Sequence, residues 1–371
     1  LDKTDKKLLI YFNSMNAFGG IERVIANLSN HLCNYYDITI LVKDEPISAY
    51  QLNQRITLDS LHVPLEMDMT SRFRRILSVP VNAIKSVRAL RRYFKNHTFD
   101  VIYTAFPMNG LEIYLSKKYY RNKLIASEHA SYYAYNKIYR LVKQYLYPRL
   151  QAISVPTTMD TNIYQDLGYQ SFYMPHLTTF APSLTQPEDT KTIINVGRLT
   201  SDKQQLLLLQ IWEKVNEKLP GHEWKLQIIG SGEEEESLKA YIQTRGLTNV
   251  EMIPHTTRIA DYYKNAELFA FTSKMEGFGM VLLEAMSFGV PCLSFDCPSG
   301  PRDMISNNQN GYLVEPFDLE AYAECICQYI QLDSSSKNRY KEAAKETIIN
   351  WDNDAIISSW LELISKMEKN K

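Results

Sequence analysis

Residues Glu267 to Gly300, ELFAFTSKMEGFGMVLLEAMSFGVPCLSFDCPSG, constrain the fold more than any other stretch of the chain. Leu268 to Phe271 is an apolar run of strand character that breaks at Thr272 and Ser273. A glycine-spaced turn, Glu276-Gly277-Phe278-Gly279, then leads into an apolar helical pattern that begins at Met280 and Val281, stops at Gly289 before Pro291, and gives way to a second strand. Two carboxylates stand eight positions apart, Glu276 in the loop and Glu284 in the body of the helix. The first N–H groups of a helix have no partner of their own, and its dipole favours negative charge. Hydroxyls donating to the carboxylates and polar or phosphate oxygens accepting from the free N–H groups therefore both suit this place. The alternative is one more strand–helix unit whose acids face water.

The rest of the chain is consistent with a larger α/β protein. At 371 residues, 45 % of them hydrophobic, it is long enough for two cores. No apolar run reaches the roughly 18–20 residues of a membrane-spanning helix, and Leu1 to Lys7 is charged, so an intracellular location is expected. Cys33, Cys292, Cys297, Cys325 and Cys327 lack zinc-ligand spacing and read as reduced, buried small residues. Charge is split unevenly: residues 1–180 carry 22 Lys and Arg against 14 Asp and Glu, and the remainder 19 against 28. Such asymmetry points to a first half that meets something anionic.

In that half, strands are expected at Lys7 to Phe12, Asp37 to Val42, Asp100 to Thr104, Leu124 to Ala126 and Gln151 to Val155, with residues 44–70 irregular. Gly19-Gly20 after the first strand opens a helix from Ile21, the arrangement by which an α/β sheet presents a phosphate. Residues 72–95 hold Arg72, Arg74, Arg75, Lys85, Arg88, Arg91, Arg92 and Lys95 with no acid. Ile84, Val87, Leu90 and Phe94 are expected on the packed face of that helix and the cations on another, facing an anionic membrane surface. His129 stands just past a strand end, at the open rim of a parallel sheet. Tyr132, Tyr133, Tyr135, Tyr139, Tyr145 and Tyr147, interleaved with Lys137, Arg140 and Lys143, suit a lipid headgroup, a sugar-stacking cleft or ordinary packing.

A polar stretch from His176 to Thr190 marks a boundary, giving domains at 1–178 and 179–352 with a last helix over 353–371. The second domain opens with the strand Lys191 to Val196, then Gly197-Arg198-Leu199, then Lys203 before a helix starting near Gln204. Two cations thus converge where a helix N-terminus already favours anions. Lys225 to Gly230 runs into Gly230-Ser231-Gly232, and Asn249 to Pro254 ends beside His255. Further on come Pro298-Ser299-Gly300-Pro301-Arg302, Asn310-Gly311-Tyr312-Leu313-Val314, and helices over 318–332 and 336–349. Asp352-Asn353-Asp354 has the Asp-x-Asp form of a metal motif but opens the last helix, where its acids act as caps. Trp351, Trp360 and Leu361 are expected to give that helix its apolar side.

Glu276-Gly277-Phe278-Gly279, then Glu284-Ala285-Met286, Gly289 and Pro291 make the chain resemble glycosyltransferase family four, the retaining nucleotide-sugar transferases of the GT-B fold. Gly197-Arg198-Leu199 with Lys203, and Gly230-Ser231-Gly232, add to the resemblance, which is strongest over residues 190–315 and general over 1–180. It implies an α/β protein of two Rossmann-like domains facing a cleft, with the last helix returning to the first domain. It also implies a hexosyltransferase moving sugar from a nucleotide sugar, by family frequency a UDP-sugar, to a glycan or lipid-linked acceptor in cell-surface polysaccharide synthesis. Arg198 and Lys203 would hold the diphosphate, Glu276 the transferred sugar and Glu284 the ribose. His129 would lie near the donor sugar and Gly19 and Gly20 near the diphosphate. Gly197, Gly230, Gly232, Pro254, His255, Gly277, Phe278, Gly279, Met280 and Val281 would line the donor. No cofactor or metal is implied, and no nucleic acid as a partner. The first domain would rest on the inner face of the cell membrane. Pro175-His176 replaces the Asn-Pro pair usual at the family's hinge. Among rivals, a dinucleotide-dependent oxidoreductase lacks Gly-x-Gly-x-x-Gly after the first strand. A nucleotide-sugar epimerase shares the ligand class, and a non-enzymatic binder of anionic ligands or nucleic acid rests on residues 72–95 alone.

Overall fold

Four-residue runs such as Val101–Thr104, Ala152–Val155 and Leu268–Phe271 are buried throughout, as strands of a parallel sheet must be when helices cover both faces. The computed structural model describes residues 5–65, 72–183 and 190–369, with the side chains of 72–77 outside that description. The chain divides into two compact units, Leu1–Leu177 with Asn353–Lys371, and Thr178–Asp352.

In the first unit the described strands are β1 (Lys7–Tyr11), β2 (Asp37–Val42), β3 (Thr57–Ser60), β4 (Val101–Thr104), β5 (Leu124–Ser127), β6 (Ala152–Val155) and β7 (Ser171–Tyr173), all parallel, in the order β3-β2-β1-β4-β5-β6-β7. Register runs from Leu8 to Ile38 on one side of β1 and to Val101 on the other. The second unit repeats the plan with β8 (Thr192–Val196), β9 (Lys225–Ile229), β10 (Val250–Ile253), β11 (Leu268–Phe271), β12 (Cys292–Phe295) and β13 (Gly311–Val314), in the order β10-β9-β8-β11-β12-β13. Both are Rossmann-like sheets whose order reverses beside the first strand, between β1 and β4 and between β8 and β11. Ligands of open α/β sheets bind at that reversal, outside the carboxyl ends of the strands.

Two strands fall where the sequence offers no strand pattern. β3, with sequence TLDS, lies within the stretch read as irregular, and β7 has only three residues. Both are edge strands, short and part-exposed, so neither carries a continuous apolar run. The last helix, Asn353–Lys369, belongs to the first unit. Its Trp360 and Ile364 close against Leu8, Leu28, Leu32 and Ile125, with Tyr103 edge-on to Trp360 at 5.7 Å. Trp351 does not share that face: it precedes the helix and packs on Phe278 at 5.8 Å in the second unit.

The basic run forms the helix Arg72–Asn96, interrupted in sequence but not in helicity by Pro80. Leu90 and Phe94 are buried as expected, whereas Ile84 is 52 % exposed and lies with Val81 among the cations Lys85, Arg88 and Arg92. Arg91 is committed internally, donating to the carbonyls of Leu115 and Ser116 at the end of the neighbouring helix Pro107–Ser116. The charges of Arg72, Arg74 and Arg75 lie outside the described side chains. Among the described residues no helix is long and apolar enough to cross a membrane. The described cysteines are all free; Cys325 is half-buried and the other four are buried.

Three of the six interleaved tyrosines, Tyr132, Tyr135 and Tyr147, are packing residues gathered around a buried lysine. Tyr135, Tyr147 and Tyr164 are buried and, with Tyr132, surround the Lys143 ammonium at 4.0, 5.5, 4.9 and 5.7 Å respectively. Glu128 completes the cage, accepting from Lys143 at 3.2 Å and from the Tyr147 hydroxyl. Burial lowers the lysine's pKa and the adjacent carboxylate works against that shift. Ring faces and one acid thus stabilise a desolvated cation, while Tyr133 and Tyr145 stay exposed. Removing one partner strands the other charge, so Lys143→Met should destabilise the first unit by about 3–5 kcal/mol. Adding Glu128→Gln should restore much of the loss, as thermal unfolding of both variants will measure.

Candidate functional site

In the second unit the loops after β8 and β11 meet at the reversal of strand order. Gly197-Arg198-Leu199 leaves β8 and reaches Lys203, and Gln204 then adopts a left-handed φ of 55° to start the helix Gln205–Lys218. A non-glycine residue in that region is uncommon and marks a backbone held by its surroundings. What holds it is the opposite loop. The Thr272 hydroxyl donates to the Lys203 carbonyl at 3.1 Å, the Lys274 N–H donates to the Asp202 carbonyl at 2.9 Å, and Lys203 Nζ meets Glu276 Oε1 at 2.5 Å. The side chains of this pair are only 24 % and 10 % exposed. Lys203 also lies 5.8 Å from the centre of the Phe271 ring.

Arg198 is exposed, and among the described residues only its carbonyl is engaged, by the Gln205 side-chain amide and the Thr200 N–H, each at 3.0 Å. Gly230 and Gly232 bind the neighbouring loop to this one. The N–H of Leu199 donates to the Ser231 carbonyl and that of Glu234 to the Leu199 carbonyl, at 3.1 and 3.0 Å. A Cβ on Gly232 would stand 2.2 Å from the Leu199 carbonyl oxygen, so the approach requires glycine there. His255 joins the set through its N–H, 3.2 Å from the Ser231 hydroxyl, and both it and Pro254 are exposed.

Gly279 precedes the helix Met280–Ser287 at φ 90°, a left-handed conformation that turns the chain from the Glu276 loop into the helix. Phe278 is buried against Trp351, so only its backbone remains for a ligand, while Met280 and Val281 are half-buried. Glu284, 1 % exposed, accepts from the Tyr263 hydroxyl at 3.1 Å and from the Thr179 hydroxyl at 3.3 Å. Cys297, past the end of β12, lies within electrostatic reach of the ion pair. Burial first, then the Glu276 charge, pushes its thiol up to about 12, against the pull of Lys203, so it stays neutral. Thr272, Gln204 and Cys297 have no site role in the sequence reading, and Lys274, Thr179 and Tyr263 are not singled out there; chain folding brings them here. Among the described residues no cluster of His, Cys, Asp and Glu is arranged to hold a metal ion.

In the first unit Gly19 begins the helix Gly20–Leu32. Its carbonyl accepts from the Tyr50 hydroxyl at 3.1 Å, and Glu22 folds back against it. His129 Nε2 bonds the Tyr103 hydroxyl at 2.9 Å and the ring stacks on His176 at 5.4 Å. Nδ1 is enclosed without a hydrogen-bond partner among the described residues. Desolvation pushes the imidazole down to about 3, so it is neutral at physiological pH.

The Glycosyltransferase Family 4 model matches residues 18–171, and the Glycosyl transferases group 1 model matches residues 178–347. The chain belongs to the family-four glycosyltransferases. The amylovoran biosynthesis glycosyltransferase AmsD of Erwinia amylovora is 26 % identical over 97 % of this chain and 99 % of its own. A Campylobacter jejuni alpha-1,4-N-acetyl-D-galactosaminyltransferase, named for an undecaprenol-diphosphate-linked acceptor, is 24 % identical over 94 % and 96 %. Among solved structures, a Staphylococcus aureus TarM mutant in complex with Fondaparinux, alpha-GlcNAc-glycerol and UDP superposes with a TM-score of 0.80 at 15 % identity, covering 97 % of this chain and 99 % of that one. The glycosyltransferase therefore has the GT-B fold class, built on two Rossmann-like units.

The neutral state of His129 has a consequence for stability. An unfolded histidine takes up a proton near pH 6.5, whereas this one resists until about 3. Below pH 6.5 the unfolded state therefore binds more protons, and stability falls as pH falls. Acidification from pH 7 to 4.5 should cost about 2.5 kcal/mol through this group, and His129→Asn should flatten the acid limb of the unfolding midpoint against pH.

Proposed function

We propose that this glycosyltransferase takes its sugar from a nucleoside diphosphate, with UDP the favoured carrier, and transfers it with retention to a glycan or lipid-linked glycan of a bacterial surface polysaccharide. The observation that carries this reading is the contact of Lys203, after β8, with Glu276, after β11, at the reversal of strand order, with the exposed Arg198 on the same loop as Lys203. Two cations beside a helix start suit a diphosphate, and a carboxylate one side chain away suits the hydroxyls of the sugar it carries. The UDP in the TarM complex and the polysaccharide-related names of the relatives support the choice of carrier and acceptor.

On this reading the bond from the anomeric carbon to the diphosphate breaks while the acceptor oxygen bonds to the same face. The acceptor's proton passes to a diphosphate oxygen. Negative charge grows on the leaving group, which Arg198 and Lys203 stabilise, while Glu276 orients the sugar and offsets its transient positive charge. Glu284, which already accepts from two hydroxyls, would take those of the ribose by exchanging one of them. Gly19, Gly20, Gly197, Gly230 and Gly232 would leave room for the donor's backbone contacts, with Pro254 and His255 toward the base and His129 toward the transferred sugar. The side-chain cations do the work a divalent metal does elsewhere, and Asp352 and Asp354 lie at the start of the last helix rather than at a strand end.

The first unit would also rest on an anionic membrane, as its acceptor class suggests. Val81 and Ile84 exposed among Lys85, Arg88 and Arg92 give one helix face both apolar and cationic character, the composition of an interfacial helix. Binding to vesicles containing phosphatidylglycerol should weaken with salt and with Ile84→Ser, and be negligible on neutral vesicles; equal binding to both kinds would remove this attachment.

Arg198→Ala and Lys203→Ala should each lose about 2–4 kcal/mol of transition-state stabilisation in kcat/KM for sugar transfer. A chelator should leave the transfer rate unchanged. Near-native rates in both variants, or full dependence on magnesium or manganese, would overturn the assignment.

A further inference from the structure

We infer that the Lys203–Glu276 ion pair is a resting latch that the donor's diphosphate opens, so that the carboxylate is released to the sugar only when a diphosphate has drawn the lysine away. This rests on the donor reading above and goes beyond it by giving the empty site a defined electrostatic state. The pair is a direct 2.5 Å contact between side chains that the second unit largely shelters from water. Both backbones are fixed by the opposite loop: the Lys203 carbonyl accepts from Thr272, the Lys274 N–H donates to Asp202, and the Glu276 N–H donates to the Pro298 carbonyl at 3.4 Å. The main chain need not move for the latch to open, because a lysine is a point charge on a flexible four-carbon stem and can swing between two anions.

Arg198 stands apart from the pair. Exposed and with no hydrogen bond or ion pair to its guanidinium among the described residues, it is ready for the first contact with phosphate. Lys203 must give up its carboxylate to make the second. A bound diphosphate therefore competes with Glu276 for the same ammonium, and the protein loses one ion pair as it gains another. The exchange leaves Glu276 without its cation while the leaving group holds both Lys203 and Arg198. A carboxylate so exposed seeks hydroxyl donors, and those of the attached sugar are adjacent. A nucleoside monophosphate, with no second phosphate to reach Lys203, would not open the latch. Cys297, kept neutral by burial, lies close enough to sense both charges without competing for either.

The latch predicts an effect opposite in sign to the usual loss on removing a site residue. With the carboxylate neutralised, Lys203 is free before binding, so Glu276→Gln and Glu276→Ala should each bind bare UDP more tightly than the wild type, by about tenfold, while their turnover falls. UMP affinity should be unchanged. Lys203→Met should weaken UDP binding more in the Glu276→Gln background than in the wild type, because only there is no ion pair sacrificed. Calorimetry with UDP, GDP, ADP and UMP on the full chain reads all of these, with thermal unfolding confirming that each variant is folded. UDP affinity equal to or weaker than wild type in both Glu276 variants would overturn the latch while leaving the donor assignment intact. If the wild type binds none of the three diphosphates, the donor assignment falls and the latch with it.

Discussion

A parallel sheet whose strand order reverses cannot cover the ends of the two strands at the reversal, because the right-handed crossovers on either side carry their helices to opposite faces. Everything notable in the second unit follows from how the chain treats the opening between β8 and β11. Its two loops are not free ends. They are joined by backbone and hydroxyl hydrogen bonds and then by an ion pair, and the left-handed Gln204 and Gly279 set the directions in which the two following helices leave. The opening is therefore preorganised in its backbone and adjustable in its side chains.

The same protein handles other buried charges differently. In the first unit Lys143 is enclosed by tyrosines and Glu128, and Lys43 pairs with Glu112 at 2.8 Å where both are almost wholly buried. In the second, Lys341 joins Glu267 at the start of β11. Such pairs have no open side from which a ligand could compete, so their contribution is to fix one packing arrangement. Lys203 and Glu276 differ in being part-exposed, on loops that also carry the exposed Arg198. Whether an ion pair can exchange is decided by that access, since its geometry and length resemble those of the sealed pairs.

The sequence was most legible where burial is complete. Apolar runs mark interior strands such as β1 and β11, and the glycine, stop and strand signals around Glu276 and Glu284 locate the loop and helix they occupy. It was least legible at edges and faces. β3 and β7 have one neighbouring strand each and little apolar pattern, Ile84 keeps a helical period yet faces outward, and Trp351 falls on the far side of a unit boundary one residue away. The tyrosines after His129 left three readings open for a related reason: composition cannot tell an aromatic ring that faces solvent, such as Tyr133, from one that faces a buried lysine, such as Tyr135. Proximity of Lys203 to Glu276, 73 positions apart, required the strand order and could not come from spacing.

The family matches divide close to the point where the structure divides, one ending at residue 171 and the other starting at residue 178, beside the unit boundary between Leu177 and Thr178. The sequence resemblance is nevertheless strongest in the second unit. Binding a diphosphate requires a few cations and glycines at fixed loop positions, so the same short signature can recur wherever that ligand is used. The first unit carries no comparable signature: its distinctive features are a sealed lysine cage, a neutral histidine held by Tyr103 and His176, and one helix with an apolar, cationic face. Of these, the histidine leaves Nδ1 without a hydrogen-bond partner among the described residues, and the helix face leaves Val81 and Ile84 exposed. The cage, by contrast, has satisfied its own charges within the unit.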